Sequence, residues 1–140
     1  MPLELTTLRN SLTALSATLA VTADEERMAH YDAVLQEGMQ AGAIKQFEIT
    51  YELSWKLMKR WLNTNVTPGI ADGVTMRQLF RLATENRLIA DVDVWMSHHE
   101  ARNKTVHMYD SDIAASVYRA AREFVHDARS LLDELEARND

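Results

Sequence analysis

The eight-residue stretch Arg102-Asn-Lys-Thr-Val-His107-Met-Tyr109 carries the side chains of this sequence that are best suited to chemistry. Arg102 supplies a permanently charged guanidinium, His107 a titratable imidazole and Tyr109 a phenol hydroxyl. An imidazole can take a proton from an RNA 2′-hydroxyl or protonate the leaving oxygen, while a guanidinium neutralises the charge that builds on phosphoryl oxygens. Phosphodiester cleavage without a metal is therefore one reaction that these residue types can support.

The spacing of these residues leaves two geometries open. On one continuous α-helix, the five-residue separation would place Arg102 and His107 about 140° apart around the axis. If the helix ends between them, both side chains can reach one pocket. In either geometry, a symmetric dimer can bring two arginines and two histidines together in a composite site.

A structural interpretation of the same stretch competes with the chemical one. Cations near the C-terminus of a helix complement its dipole and bond its free carbonyls, which would account for Arg102 and His107. Asn103 can be a helix-end residue, and Tyr109 a half-buried aromatic at the start of the next helix. Judged from these residues alone, the structural interpretation is the commoner case.

Three neighbouring side chains, His98, His99 and Lys104, add hydrogen-bond donors and potential positive charge. Adjacent histidines point about 100° apart on a helix, so they cannot readily hold one metal ion together. The sequence has no obvious carboxylate cluster for a cation either. We therefore expect His98 and His99 to be solvated or capping residues, and we expect neither a metal nor a cofactor.

The composition favours long helices and sets limits on the partners. Only four of the 140 residues are Gly and two are Pro, so turn formers are few, and the absence of Cys excludes disulfides and thiol chemistry. The sequence has no apolar run of about 20 residues and no signal-peptide pattern, so we expect a cytoplasmic protein without membrane contact. The formal net charge of −6 argues against broad adhesion to nucleic acid. DNA is thus not an expected partner, and any RNA contact must be local.

Apolar periodicity predicts an all-α fold with five helical segments in one domain, residues 1–140. The second segment is the longest, and Thr22 followed by Glu25 has the pattern of a capping box at its start. Gly38 and Gly42 predict a kink or break in this segment. The first helix, from about residue 3 to about residue 20, is predicted by a leucine stripe: Leu5, Leu8, Leu12, Leu15 and Leu19.

The second half of the longest helix is apolar around most of its circumference, which predicts a place in the middle of a bundle. Phe47, Tyr51 and Trp55 have the spacing of a core stripe. Glu48 and Glu52 lie on the remaining face, where we expect a solvated surface with one Glu-to-Lys pair, the less common alternative being contact with a polar site or a partner. N-cap residue types predict where the last three helices start: Thr75, Asp91, and Asp110 or Ser111.

Two stretches resemble one family of proteins. Residues 42–62, Gly-Ala-Ile-Lys-Gln-Phe-Glu-Ile-Thr-Tyr-Glu-Leu-Ser-Trp-Lys-Leu-Met-Lys-Arg-Trp-Leu, resemble the signature helix of the nucleotidyltransferase substrate-binding proteins. Residues 102–109 resemble the Arg-x4-His-x-Tyr motif of the HEPN toxins encoded beside minimal nucleotidyltransferases. The sequence departs from the commoner pattern in a longer run before the signature helix and in Lys45-Gln, where Gln-Arg is usual. Both departures can alter the dimer or partner surface.

The resemblance implies an antiparallel up-and-down bundle of about five helices that forms a homodimer. It implies that Arg102 and His107 are the ribonuclease residues, with Asn103 as the polar residue after the arginine. It also implies that a minimal nucleotidyltransferase antitoxin transfers AMP to Tyr109. We add His99 and Lys104 as secondary candidates for the site.

These expectations lead to one main hypothesis and two alternatives. The main hypothesis is a dimeric, metal-independent ribonuclease toxin whose substrate is RNA and whose activity the cognate nucleotidyltransferase silences. Some members of the family are described only as substrate-binding subunits of a two-component nucleotidyltransferase, and the acidic charge balance modestly favours this non-catalytic alternative. A purely structural helical bundle is the third hypothesis, and it predicts that substitutions in the motif change stability alone.

Overall fold

A computed structural model describes residues 2–139. These residues form six α-helices, a short 3-10 helix over Lys104–His107, and no β-strand. Five of the α-helices have ten residues or more and the sixth has four. The all-α expectation is thus confirmed, with one more short helix than the sequence predicted. The α-helices are α1 Thr6–Thr22, α2 Glu25–Met28, α3 Ala33–Asn65, α4 Met76–Glu85, α5 Val92–Asn103 and α6 Ser111–Ala137.

Side-chain contacts at both ends of α1 show that it runs antiparallel to α6. Thr22, at the end of α1, hydrogen-bonds the hydroxyl of Tyr118 early in α6. Near the start of α1, Arg9 pairs with Glu136 late in α6. The short α2 then turns the chain, so that α3 packs antiparallel against α1.

The other two long helices complete an up-and-down bundle. α3 and α6 start side by side, because Ile44 and Ala114 line the same groove. α5 is antiparallel to α6, since Ala90 and Trp95 line a groove with Glu134 while residues 104–110 join the end of α5 to the start of α6. α1, α3, α5 and α6 therefore alternate in direction, and α4 lies in the connection between α3 and α5.

The core between these four helices is built from aromatic rings and leucines. Phe124 of α6 meets Phe47 of α3 edge-on at 5.1 Å and Trp95 of α5 at 5.7 Å between ring centroids. Truncating such a buried ring to alanine costs about 3–5 kcal/mol, so Phe124 strongly fixes α5 against α3. Tyr51 is fully buried, as its place on the predicted stripe requires. The predicted leucine stripe of α1 is buried throughout: Leu5, Leu8, Leu12, Leu15 and Leu19.

Helix starts agree with the sequence at three of the four predicted caps. The side chains of Thr75, Asp91 and Asp110 accept hydrogen bonds from backbone amides at the starts of α4, α5 and α6. The capping box at Thr22 is wrong, because α1 extends through Thr22 and its hydroxyl is engaged by a side chain of α6. Asp24 caps α2 in its place and accepts from the amide of Arg27.

The predicted break at Gly38 and Gly42 is also wrong, because α3 runs without interruption for 33 residues. Glycine weakens a helix by about 1 kcal/mol but does not force it to bend. The break comes earlier, where Asp32 caps α3 and Gln36 donates hydrogen bonds to the carbonyls of Met28 and Tyr31. Neither α3 nor any other helix within residues 2–139 is apolar enough over a sufficient length to cross a membrane.

Candidate active site

The candidate site lies where α5 ends. The α-helix stops at Asn103 and tightens into the 3-10 helix, and the hydroxyl of Thr105 donates to the carbonyl oxygen of Arg102 at 2.7 Å. Asp110 then starts α6. Arg102 and His107 therefore lie on opposite sides of a helix end, which is the second of the two geometries that the sequence left open.

Arg102 is held by a carboxylate from the middle of α3. Its Nε donates to Glu52 Oε1 at 2.9 Å, and the indole nitrogen of Trp55 donates to the other carboxylate oxygen at 3.1 Å. The side chains of Arg102 and Glu52 are 32% and 31% exposed, so water reaches the pair from one side. Within residues 2–139 the guanidinium makes no other hydrogen bond, so the expected capping of helix carbonyls by Arg102 is not its role here.

One turn earlier on α5, His99 receives support from the buried Tyr51. The phenol oxygen lies 2.8 Å from His99 Nδ1. Burial raises the pKa of the Tyr51 phenol far above its usual value, with a smaller contribution from Glu52. Burial lowers the pKa of His99, and the nearby charge of Arg102 lowers it further. With both groups neutral, the phenol can donate to Nδ1 of His99 when the imidazole carries its proton on Nε2.

The remaining motif residues face solvent. His107 Nδ1 is 3.3 Å from the hydroxyl of Tyr109, and their rings meet edge-on with centroids 5.9 Å apart. Tyr109 is 85% exposed, and Asn103 and Lys104 are exposed as well. No hydrogen bond among the described residues joins Arg102 to His107. The motif thus forms two groups, Arg102 with α3 and His107 with Tyr109.

His98 differs from the expectation that it would be solvated or a cap. It is 3% exposed, and its Nε2 lies 2.6 Å from Asp127 Oδ2 on α6. Burial lowers the pKa of His98, and the partly exposed Asp127 carboxylate offsets only part of that effect. His98 is therefore a structural residue between α5 and α6, because its helix position faces the core.

Glu52 and the Tyr51 hydroxyl are the site residues that sequence reasoning missed. The sequence placed Glu52 on a polar face, with contact to a polar site only as the less common alternative, and its partner proves to be Arg102. Glu48 instead pairs with Lys45. The expected Glu-to-Lys pair with Lys56 is not among the ion pairs of the described residues, because Glu52 binds Arg102. In the sequence, only the position of the polar Glu52 directly after Tyr51 of the core stripe could have indicated these contacts. No group of three or more His, Asp or Glu within the described chain is placed to hold a metal.

Comparisons with known proteins identify the family and the fold of this chain. The family model described as "Nucleotidyltransferase substrate binding protein like" matches residues 3–137. The chain is 31% identical over 138 residues to a Haemophilus influenzae protein named "Probable ribonuclease HepT", covering 98% of this chain and 94% of the relative.

Two solved structures share the fold. One, a Haemophilus influenzae protein reported to reveal the fold of a substrate binding domain of a nucleotidyltransferase, has a TM-score of 0.91 and 30% identity over 95% of this chain and 99% of that chain. The other, from Thermus thermophilus, has a TM-score of 0.72 and 23% identity over 91% and 98% of the two chains, and supports the fold alone. The chain therefore belongs to the nucleotidyltransferase substrate-binding protein-like family.

Proposed function

We propose that this protein is a metal-independent endoribonuclease of the HEPN toxin type, restrained by a cognate minimal nucleotidyltransferase. The observation that carries the proposal is the helix end at Asn103, which follows an arginine held by Glu52 and precedes an exposed histidine. The similarity to a probable ribonuclease supports RNA as the substrate. The family description supports a nucleotidyltransferase as the partner.

The proposed reaction needs only groups that this chain supplies. His107 takes the proton of an RNA 2′-hydroxyl, whose oxygen then forms a bond to the adjacent phosphorus. The bond from phosphorus to the 5′-oxygen breaks, and a second imidazole returns a proton to that oxygen. The terminal nitrogens of Arg102 stabilise the charge on the phosphoryl oxygens, since its Nε is already committed to Glu52.

The need for a second imidazole supports a homodimer. His99 is partly buried and its Nδ1 is occupied by Tyr51, so the histidine best placed to complete the reaction is His107 of a second copy. Val106 is 69% exposed beside His107, and covering an apolar side chain of this size is favourable. Asn103 and Lys104, exposed at the same helix end, are proposed to contact the RNA phosphates, with His99 as a secondary contact.

Tyr109 is the proposed point of control. Its exposed hydroxyl would attack the α-phosphorus of ATP, lose its proton and displace pyrophosphate, so that AMP becomes attached beside His107. The added phosphate would occupy the substrate position and repel RNA. Incubation with the nucleotidyltransferase and ATP, followed by mass spectrometry, should find AMP on the wild type and on the Tyr31→Phe control but not on Tyr109→Phe. AMP on Tyr109→Phe would place control elsewhere.

Growth and RNA integrity after expression without the nucleotidyltransferase test the catalytic proposal. We expect wild type to arrest growth and degrade RNA, and Arg102→Ala and His107→Ala to do neither. Losing a general acid or base lowers kcat by about 10²–10⁴-fold, and losing a group that stabilises transition-state charge lowers it by about 10²–10³-fold. His30→Ala, which removes another exposed histidine, should behave as wild type. Normal growth and intact RNA with the wild-type protein would refute catalysis.

A non-catalytic substrate-binding subunit of a two-component nucleotidyltransferase is the second candidate function. The net charge of −6 and the reported description of the Haemophilus influenzae structure favour it. It requires a stable complex with the nucleotidyltransferase and no RNA cleavage by the wild-type protein. Size-exclusion chromatography of the mixed proteins, combined with the cleavage assay, separates the two functions.

A further inference from the structure

A row of basic side chains that are not part of the motif lies on the solvent face of α6. Arg119, Arg122, His126 and Arg129 follow one another at spacings of three, four and three, so they share one face of the helix. All four are exposed. The separation of ten residues between Arg119 and Arg129 corresponds to about 15 Å along the axis. We refer to these four residues as the basic stripe.

Glu123 is exposed beside the basic stripe and lines the same groove as Arg119, Arg122 and His126, but it forms no ion pair with them. No ion pair within residues 2–139 involves any of its four residues, whereas Arg9, Arg77, Arg102 and Arg138 each pair with a carboxylate. Asp127 lies on the same helix, but its carboxylate is hydrogen-bonded to His98 of α5. Three arginines outnumber Glu123 on this surface, and Asp127 is engaged by His98, so the stripe is a local positive region on a protein of net charge −6.

The surroundings of the stripe favour a polyanion over a protein surface. Protein interfaces are built around buried apolar residues, and the fully buried part is depleted in charge. The large exposed apolar residues of the described chain all lie outside α6. Three guanidiniums and an imidazole on one exposed face, without a large exposed apolar residue on the same helix, instead match a phosphodiester backbone, whose oxygens arginine binds in a bidentate manner.

The stripe also begins close to the candidate active site along the chain. The amide of Asp110 donates to the carbonyl oxygen of His107, and α6 starts at the next residue. Arg119 is eight residues further, or about 12 Å along the helix axis. An RNA strand bound at His107 can therefore continue onto α6 within a few nucleotides.

We infer that the basic stripe binds the phosphate backbone of the RNA substrate on one side of the cleavage point. This inference rests on the proposed ribonuclease function and adds a binding surface to it. The stripe recognises phosphate and not bases, so it contributes affinity without sequence preference. It also accounts for how an acidic protein can hold a polyanion.

Binding of a labelled single-stranded RNA 20-mer, measured by fluorescence anisotropy, tests the inference. The His107→Ala protein prevents cleavage and serves as the background. The stripe variant adds Arg119→Gln, Arg122→Gln and Arg129→Gln to this background. The matched control carries Arg27→Gln, Arg60→Gln and Arg81→Gln, which remove the same charge from exposed positions elsewhere.

The stripe variant should bind RNA on the order of tenfold more weakly than the control at physiological salt. Its plot of log affinity against log salt should be shallower by about 2, because three phosphate contacts in a single strand contribute about 0.7 each. Equal affinities for the two triple variants would overturn the inference. So would loss of nucleotidyltransferase binding with RNA affinity intact, which would assign the stripe to a protein partner.

Cleavage by proteins that retain His107 separates failure of the inference from failure of the proposed function. If the wild type cleaves RNA and both triple variants have the same KM, only the role of the stripe is refuted. If the wild type neither binds nor cleaves RNA, both are refuted. Far-UV circular dichroism confirms that the exposed substitutions leave the helices folded.

Discussion

Glu52→Gln should loosen Arg102 while leaving the bundle folded. The Glu52 carboxylate accepts from two donors, Arg102 Nε at one oxygen and the Trp55 indole at the other. Glutamine has a single acceptor oxygen, so its amide nitrogen must face one of those donors. Whichever way the amide turns, one of the two hydrogen bonds is lost.

The size of the effect follows from the exposure of the pair. A hydrogen bond to a charged group contributes about 1.5–3 kcal/mol. With 32% and 31% of the two side chains exposed, solvent screens part of this, and we expect the free energy of unfolding to fall by about 1 kcal/mol. A similar loss in transition-state stabilisation lowers kcat/KM about fivefold, since about 1.4 kcal/mol corresponds to a factor of ten.

Cleavage of an RNA oligonucleotide and urea unfolding provide the two measurements. Glu48→Gln is the matched control, because Glu48 is a half-buried glutamate one turn earlier on α3 that pairs with Lys45 and has no contact with Arg102. NMR titration gives a third measurement. The negative charge of Glu52 raises the pKa of His99, so the Glu52→Gln substitution should lower that pKa further.

One result would refute the reasoning about Glu52. If Glu52→Gln and Glu48→Gln have the same kcat/KM and the same His99 titration, then Glu52 does not position Arg102 for the reaction. A fall in stability without a fall in kcat/KM would leave the pair with a structural role only.

Three further predictions concern stability. Burial lowers the pKa values of His98 and His99, so the unfolded chain binds more protons than the folded one as the pH falls below about 6.5. The free energy of unfolding, measured by urea titration, should therefore decrease from pH 7.5 to pH 5.5. An unchanged or rising stability would contradict the assigned shifts. Gly38→Ala and Gly42→Ala should each stabilise the protein by about 0.5–1 kcal/mol in thermal unfolding, because both lie within α3 with no atom within 4 Å of an added Cβ. Gly69→Ala, at a φ of 81°, should destabilise it, and a stabilised Gly69→Ala would show that the left-handed conformation is not required.

Local signals account for most of the fold that the sequence predicted. A cap such as Asp91 satisfies amides two and three residues away, and a leucine stripe needs only the helical period. The error at Thr22 arose because a distant partner decided the outcome. Thr22 has the right type for a cap, but Tyr118, 96 residues away in the chain, engages its hydroxyl.

The sequence predicted which residues make up the candidate site, but not which residues of α3 hold them in place. Arg102, His107 and Tyr109 are close in sequence, so their residue types alone drew attention to them. Arg102 finds Glu52 at a separation of 50 residues, and His99 finds Tyr51 at 48. No periodicity encodes such pairs, because they depend on how α5 lies across α3. The catalytic roles of Arg102 and His107 stay predictions for the experiments above.

Tyr51 and Glu52 are consecutive residues, yet one fills the core and the other holds Arg102. Because one turn of α3 supports both, a small rotation of that helix would disturb the packing and the candidate site at once. In a scan of all single substitutions, selection for abundance and selection for activity should therefore penalise the same positions around this turn. Improving activity by directed evolution should proceed more easily at Lys104 and Val106, whose side chains are exposed and place no demand on the core.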